Sequence, residues 1–275
     1  MFKNGRAGIV VEVGAHVKCW CSSTTERWCN ASRSISTLIA LHDLQVLAYN
    51  GYGKSLIKRF GVSPDAYVQM AIQLTYYNLF GVCRPTYESV HTRKFHRGRT
   101  DVCRGVSIES IRWVEAMEDP TLPIEVKVTL GKEAIESHVR YSTDCAQGQG
   151  IERHLLGLRC ALHPDEPIPT FFTDPAFSYS SHWYVSTSQV PSERIEGFGY
   201  GQVVPDGFGI AYIIKNDSLH FNVTSLRYPT VHGKLFPDAS KKMRASLLEA
   251  VERMRYVFEA GLSMKIITFA EDSRL

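Results

Sequence analysis

A run of three consecutive hydroxyl residues constrains most strongly what this chain can fold into. Ser186, Thr187 and Ser188 follow the apolar and aromatic residues 183–185, a pattern typical of a β-strand. Because alternate residues of a strand face opposite ways, we expect Ser186 and Ser188 to project to one side and Thr187 to the other. Such a strand offers two hydroxyl groups to one small ligand. A polar edge strand is the alternative interpretation.

Composition limits the class of protein. The 275 residues, of which 44% are hydrophobic, are enough for one large domain or two small ones with a real core. A net charge of +3 is too small to indicate nucleic-acid binding. Seven irregularly spaced cysteines argue against a disulfide framework and indicate a reducing compartment. No apolar run approaches the roughly 20 residues of a membrane span, so we expect a soluble chain.

Two motifs around the hydroxyl run carry a family resemblance. The sequence reads STSQV at residues 186–190 and GYGQVVPDGFG at residues 199–209. It resembles the choline/carnitine acyltransferase family from about His42 to beyond residue 225, with Tyr200 in place of the usual Phe and Gln202 in place of Pro. The resemblance implies an α/β, coenzyme A-dependent (chloramphenicol acetyltransferase-like) acyltransferase fold, with a mixed sheet and flanking helices. It also implies reversible acyl transfer between coenzyme A and carnitine.

Residues for coenzyme A follow a turn at residues 50–53. Lys54 and Lys58 are four residues apart in a predicted helix, so they share one face and could hold a phosphate, although such pairs are commonly solvated. A second helix is predicted to start at Ser63, with Asp65 in its first turn. The resemblance implies that Lys54, Lys58, Asp65 and Gln189 contact coenzyme A, which is a substrate rather than a permanently bound cofactor.

Residues for carnitine lie in a second block of motifs. The Tyr-Glu-Ser and Gly-Arg-Thr sequences at residues 87–89 and 98–100 match the family, which implies that Tyr87, Ser89 and Thr100 hydrogen-bond the carnitine carboxylate. Arg153 can pair with a carboxylate through two parallel hydrogen bonds, so it favours carnitine over choline, which has no carboxylate.

The resemblance also assigns roles around the hydroxyl run. Ser188 corresponds to the hydroxyl that stabilises the tetrahedral oxyanion, and Ser186 contacts carnitine. Tyr200 offers its ring face to the trimethylammonium group. Phe198 occupies a position where a bulky side chain blocks a long acyl tunnel, which favours acetyl or another short acyl group.

The expected catalytic histidine is displaced. In the family a Glu-His-Ser motif carries this residue, but here Val13 follows Glu12 and the nearest histidine is His16. His16 is the candidate general base. Two alternatives stay open: His16 is a surface residue, or residues 13–41 are not family sequence. We expect no metal site, because three nearby cysteines lack the paired spacing of zinc ligands: Cys19, Cys21 and Cys29.

The same family resemblance implies a domain organisation. We expect residues 1–41 to be a divergent remnant of the catalytic-histidine region and residues 42–275 to be a C-terminal carnitine- and coenzyme A-binding domain, truncated relative to the family. The alternatives are an inactive ligand-binding fragment or a truncated gene product. The last three residues, 273–275 (Ser-Arg-Leu), match a peroxisomal address and predict an import receptor as partner, with mitochondrion or cytoplasm as alternative locations.

The remaining segments predict ordinary structural elements. Helices are expected from Ser107 to about residue 117 and over residues 125–147, and a hairpin is expected about residues 216–217. A final amphipathic helix over residues 238–260 is predicted to face inward with its apolar residues, which include Leu247, Leu248, Val251, Met254 and Val257.

Overall fold

The computed structural model describes the backbone of residues 22–272 and the side chains of residues 25–263. The chain divides into two compact units. Helix α1, Ser22–Leu41, belongs to the first, and the second begins at His42 and contains all the other helices and strands described here. Among the described residues, no helix combines the length and the apolar character needed to cross a bilayer.

The second unit is built on one mixed β-sheet. Its six strands are β1 (His42–Tyr49), β2 (Thr86–His91), β3 (Thr100–Arg104), β4 (Val185–Gln189), β5 (Phe208–Ile214) and β6 (Leu219–Leu226). Their order is β1-β6-β5-β4-β2-β3, in which β4 pairs in parallel with β2 and β5 and the other pairs are antiparallel. Strand β4 carries the hydroxyl run and is an interior strand, so the edge-strand interpretation is wrong. A small hairpin joins β7 (Thr230–Val231) to β8 (Lys234–Leu235).

Eight further helices accompany this sheet in the described residues. They are α2 (Lys54–Arg59), α3 (Pro64–Phe80), α4 (Ile108–Glu118), α5 (Ile124–Ala146), α6 (Ile151–Cys160), α7 (Thr170–Thr173), α8 (Pro175–Ser180) and α9 (Ala239–Asp272). The predicted α/β class, with a mixed sheet and flanking helices, is therefore confirmed.

Local capping chemistry explains the helix boundaries. Ser63 accepts a hydrogen bond from the Ala66 N–H and starts α3, and Gly81 ends that helix in the left-handed conformation, with φ of 65°. Ser107 and Ser110 form a reciprocal capping box at the start of α4. These caps are short-range signals, which is why the sequence predicts the starts of both helices correctly.

One face of the sheet is covered by α3, α5 and α9, and the core lies between these helices and the strands. Helix α3 is buried nearly all round over its first three turns. The largest fully buried side chains in the described residues are aromatic, and they are Trp113, Tyr67, Tyr212, Phe208, Phe221 and Phe258. These rings come from β5, β6, α3, α4 and α9, and all six belong to the buried core of the second unit.

The final helix differs from the sequence prediction in two respects. It spans Ala239–Asp272 rather than residues 238–260. Leu247 is fully buried, but Leu248 is 36% exposed. Adjacent residues of an α-helix point about 100° apart, so both leucines cannot share the narrow face that packs against α3 and the sheet.

These two leucines form a matched pair for measuring how much core packing contributes to the free energy of unfolding. We expect Leu247→Ala to lower the free energy of unfolding by about 2–5 kcal/mol, because it leaves a cavity among packed side chains. Leu248→Ala should cost much less, because that side chain is partly solvated already. Urea titration followed by circular dichroism measures both. Equal losses for the two variants would contradict the packing described for α9.

Candidate active site

Two residues of the hydroxyl run, Ser186 and Ser188, lie on the face of the sheet opposite the core helices. Strand β4 pairs with β2 so that Ser186 stands beside Tyr87. Neighbours in register face the same side, which places Tyr87 and Ser89 of β2 on one face with Ser186 and Ser188 of β4. Thr187 points the other way, into the core, where it accepts a hydrogen bond from Gln69 Nε2 at 2.9 Å. The predicted alternation of the three hydroxyl residues is confirmed.

Arg153 joins this face from α6. Its Nε donates to the backbone carbonyl of Thr100 at 3.0 Å, and its Nη2 donates to the Tyr87 hydroxyl at 3.3 Å. Its backbone N–H donates to Asp101 Oδ1 at 3.3 Å, which anchors the start of the helix to β3. A guanidinium has five N–H donors, and the two side-chain bonds use two of them. Arg153 is exposed, so an anion can reach the others. Tyr87, Thr100 and Arg153 thus form one cluster.

Hydrogen bonding of its hydroxyl group to backbone carbonyls holds the Tyr200 side chain in place. The phenol donates to the Ser186 carbonyl at 2.7 Å and lies 3.1 Å from the Ile210 carbonyl. Burial raises the pKa of the Tyr200 hydroxyl well above its usual value, so the proton that makes these bonds is retained. Tyr200 therefore ties the irregular segment after β4 to the strands. Phe198, two residues earlier, is partly buried, and its carbonyl accepts a hydrogen bond from Asn222 Nδ2 at 2.5 Å.

A pocket of about 260 Å³ opens at the carboxyl ends of β4 and β5. It brings together three of the four residues predicted to contact coenzyme A, namely Lys54, Asp65 and Gln189. The fourth, Lys58, is exposed and does not line the pocket. The remaining lining residues are Ser63, Pro64, Pro191, Ser192, Glu193 and Ile214. Since Gln189 directly follows Ser188, the pocket adjoins the hydroxyl run along one strand.

A buried polar network lies beneath the pocket. Tyr212 donates its hydroxyl proton to Asp65 Oδ1 at 2.7 Å and accepts from Gln69 Nε2 at 2.9 Å. Loss of hydration, followed by the negative charge of neighbouring Glu88, raises the pKa of Asp65 to about 7. The pocket therefore contains a carboxyl group that takes up or releases a proton near neutral pH.

Glu88 continues this network to α5. Its Oε2 lies 2.7 Å from His138 Nε2. Burial opposes charging of His138, but the hydrogen bond and charge of Glu88 outweigh this effect, so the pKa of His138 is raised. Cys103 Sγ is 3.9 Å from the same nitrogen. Glu88, Cys103 and His138 could supply three metal ligands, with ligand atoms within 4.8 Å of one another. Because Glu88 Oε2 is already paired with His138 Nε2, we interpret the group as a buried ion pair, although His138 Nδ1 is buried without a hydrogen-bond partner.

Sequence reasoning missed most members of this network, including Gln69 and His138. A signal for Gln69 exists, because residues 66–80 are apolar except for a few positions such as this one. A buried amide in such a helix requires hydrogen-bond partners. No comparable local signal marks His138, which lies on a polar helix.

Two predictions fall outside the described residues. His16, the candidate general base, precedes residue 22, and the Ser-Arg-Leu sequence at residues 273–275 follows residue 272. Cys19 and Cys21 also precede the described range. The structure therefore places the candidate binding residues and Ser188, and it leaves the base as a prediction.

Comparison with known proteins identifies the family. Choline/carnitine O-acyltransferase sequences match residues 15–242, and the chain belongs to this family. The predicted resemblance is confirmed. Mitochondrial carnitine O-acetyltransferase of Saccharomyces cerevisiae is 42% identical over 197 residues, which are 71% of this chain and 29% of the relative. Carnitine O-acetyltransferase of Rattus norvegicus is 37% identical over 196 residues, 71% of this chain and 31% of the relative.

The chain is also similar to a peroxisomal relative and to solved structures of low sequence identity. Peroxisomal carnitine O-octanoyltransferase of Homo sapiens is 38% identical over 184 residues, 64% of this chain and 29% of the relative. The chain thus spans about 30% of the length of these three relatives. Among solved structures, trichothecene 15-O-acetyltransferase of Fusarium sporotrichioides is similar with a TM-score of 0.47 at 12% identity, over 85% of this chain and 52% of that one.

The shifted pKa of Asp65 makes stability depend on pH. A carboxyl group with a pKa of about 7 when folded, against an ordinary 3.8, stabilises the fold fully below about pH 4. This contribution is lost as the pH rises through 7. Asp65→Asn cannot ionise, so we expect its melting temperature to rise relative to wild type between pH 5 and pH 8, by at least about 2 °C.

Thermal melts of both proteins at several pH values between 5 and 8 measure this effect. Asp217→Asn, at the exposed turn between β5 and β6, is the matched control and should run parallel to wild type. A difference between Asp65→Asn and wild type that does not change with pH would contradict the raised pKa.

Proposed function

We propose that this chain carries the binding residues and the oxyanion-stabilising hydroxyl of a carnitine O-acyltransferase. The substrates are carnitine and an acyl-coenzyme A with an acetyl or other short acyl group. One observation carries the proposal: a single strand, β4, connects the Tyr87, Thr100 and Arg153 cluster to the pocket lined by Lys54 and Asp65. Ser186 stands beside Tyr87, and Gln189 lines the pocket. Ser188 lies between Ser186 and Gln189 along this strand.

The chemistry of the first cluster favours carnitine. A guanidinium beside a tyrosine hydroxyl offers several N–H and O–H donors to a carboxylate. Choline has no carboxylate and would leave these donors unpaired once the site was filled, at a cost of about 1–3 kcal/mol for each buried group. The names of the yeast and rat relatives agree with this preference. Phe198 supports the short acyl chain, as a bulky residue at a position where the resemblance places the acyl tunnel.

The reaction proceeds by direct transfer. The general base, proposed to be His16, takes the proton from the carnitine hydroxyl as its oxygen attacks the thioester carbonyl. The Ser188 hydroxyl donates to the tetrahedral oxyanion that forms. The carbon–sulfur bond then breaks, the electron pair leaves with sulfur, and the protonated base returns the proton to give free coenzyme A. Each step is reversible, so either acylated compound can be the donor.

The sequence at the C-terminal end bears on the cellular compartment of the protein. The final residues, Ser273, Arg274 and Leu275, fit the address read by a peroxisomal import receptor at a free C-terminus. The named relatives include both a mitochondrial and a peroxisomal enzyme, so relatives alone leave both compartments open. We propose the peroxisome. Deleting the last three residues of a fluorescent fusion should disperse a punctate signal, and unchanged puncta would contradict the proposal.

Arg153 tests the carnitine cluster directly. We expect Arg153→Gln to weaken binding of L-carnitine roughly 10- to 100-fold, because a charge-assisted hydrogen bond contributes about 1.5–3 kcal/mol. Arg159→Gln, on the same helix and exposed, is the control and should bind as wild type does. Isothermal titration calorimetry with L-carnitine and with choline measures both. Similar affinity of wild type for the two compounds would contradict the proposed role of Arg153.

Turnover tests the whole proposal. We expect the purified chain to release free thiol from acetyl-coenzyme A in the presence of L-carnitine. His16→Ala should abolish this release, and Ser188→Ala should lower kcat by roughly 100-fold or more through loss of an oxyanion donor. Binding of both substrates without turnover in any of the three proteins would favour the alternative, an inactive ligand-binding fragment. Absence of binding in a folded chain would reject the proposed function.

A further inference from the structure

An acidic side chain already occupies the cationic end of the pocket. Lys54 Nζ lies 2.5 Å from Glu193 Oε1, and both residues line the pocket. The other carboxylate oxygen of Glu193 accepts a hydrogen bond from the Asn216 backbone N–H at 3.3 Å. The pairing with Lys54, followed by this backbone bond, lowers the pKa of Glu193 below its usual value. The carboxylate is therefore charged at neutral pH, and it contacts both Lys54 and the backbone of Asn216.

This ion pair contributes little to folding. The side chains of Lys54 and Glu193 are 32% and 43% exposed, and ion pairs with such exposure contribute little to stability because water screens them. Glu193 belongs to the irregular segment that follows β4, without a regular element to hold it. Its carboxylate can therefore be displaced from Lys54 at low cost. Stability of the fold does not explain why an acidic side chain contacts this lysine.

We propose that Glu193 acts as a built-in competitor for the phosphate monoester of the ligand at Lys54. The inference rests on the proposed function, in which Lys54 holds the phosphorylated adenosine end of coenzyme A. A phosphate that approaches the Lys54 ammonium meets a carboxylate already in contact with it. Binding must therefore exchange one ion pair for another and leave two anionic groups close together.

The surrounding charges do not remove this competition. Asp65 is a second carboxyl group in the same pocket, and it becomes negative as the pH rises through about 7. Lys215 is a further cation whose charge acts on Glu193, but its Nζ also lies 3.4 Å from Glu196 Oε1. Glu193 thus weakens binding of the phosphorylated ligand much more than binding of the same ligand without its phosphate. Glu193 thereby lowers the affinity of the site for the phosphorylated ligand and its preference for that ligand over the dephosphorylated one.

The experiment compares two probes that differ only in this phosphate, coenzyme A and 3′-dephospho-coenzyme A. We expect Glu193→Gln to bind coenzyme A about 3- to 5-fold more tightly than wild type, the change that removal of one partly exposed like charge produces. Affinity for 3′-dephospho-coenzyme A should change less than about 2-fold. Glu196→Gln, a nearby exposed acid outside the pocket lining, is the matched control and should leave both affinities unchanged.

A double-mutant cycle separates this inference from the proposed function. In Lys54→Gln the preference for coenzyme A over its dephosphorylated form should fall, and adding Glu193→Gln should then have little effect. Weaker binding of coenzyme A by Glu193→Gln, or equal gains for the two probes, would overturn the competition while leaving the coenzyme A site in place. Absence of coenzyme A binding in every folded protein would instead reject the proposed function and the inference with it.

Discussion

One buried glutamine holds the two halves of the candidate site in register. The Gln69 amide donates to Thr187 Oγ1 and to the Tyr212 hydroxyl, both at 2.9 Å. The Thr187 hydroxyl donates in turn to the Tyr87 carbonyl at 2.9 Å, and the Tyr212 hydroxyl donates to Asp65 Oδ1 at 2.7 Å. Each of the two hydroxyl groups accepts one hydrogen bond and donates another, whereas the amide oxygen of Gln69 is buried without a partner. A single amide thereby links strand β4 to the pocket lined by Lys54 and Asp65.

This arrangement explains the role of the middle residue of the hydroxyl run, Thr187. The side chain of Thr187 faces the core because its two neighbours face the opposite side. Its hydroxyl is buried, where an unpaired donor would cost about 1–3 kcal/mol. Gln69 and the Tyr87 carbonyl satisfy it and, in doing so, fix how β4 lies against β2. The positions of Ser186 and Ser188 relative to Tyr87 follow from that register.

Short-range signals in the sequence predict most elements but not their contacts. The caps at Ser63 and Ser107 and the alternation of residues 186–188 depend on neighbouring residues, so these predictions succeed. The family resemblance names the residues that the structure gathers at Arg153 and Lys54. The link from Gln69 to Thr187 crosses 118 residues of sequence, and the one from Glu88 to His138 crosses 50. Contacts of such separation follow from strand order and helix packing, which no local pattern encodes.

Tyr200 has a consequence for how this site can change in evolution. Residues 190–207 form no regular element, and the hydroxyl of Tyr200 fastens them to β4 and β5 through backbone carbonyls. Backbone acceptors are the same whatever side chains the strands carry, so the fastening survives substitution on both strands. Residues 193–196 are exposed and lie before this anchor. Substitutions in this loop can therefore change the charge at the rim of the pocket without moving strand β4. The ligand preference of the pocket can change during evolution while Ser186 and Ser188 keep their positions.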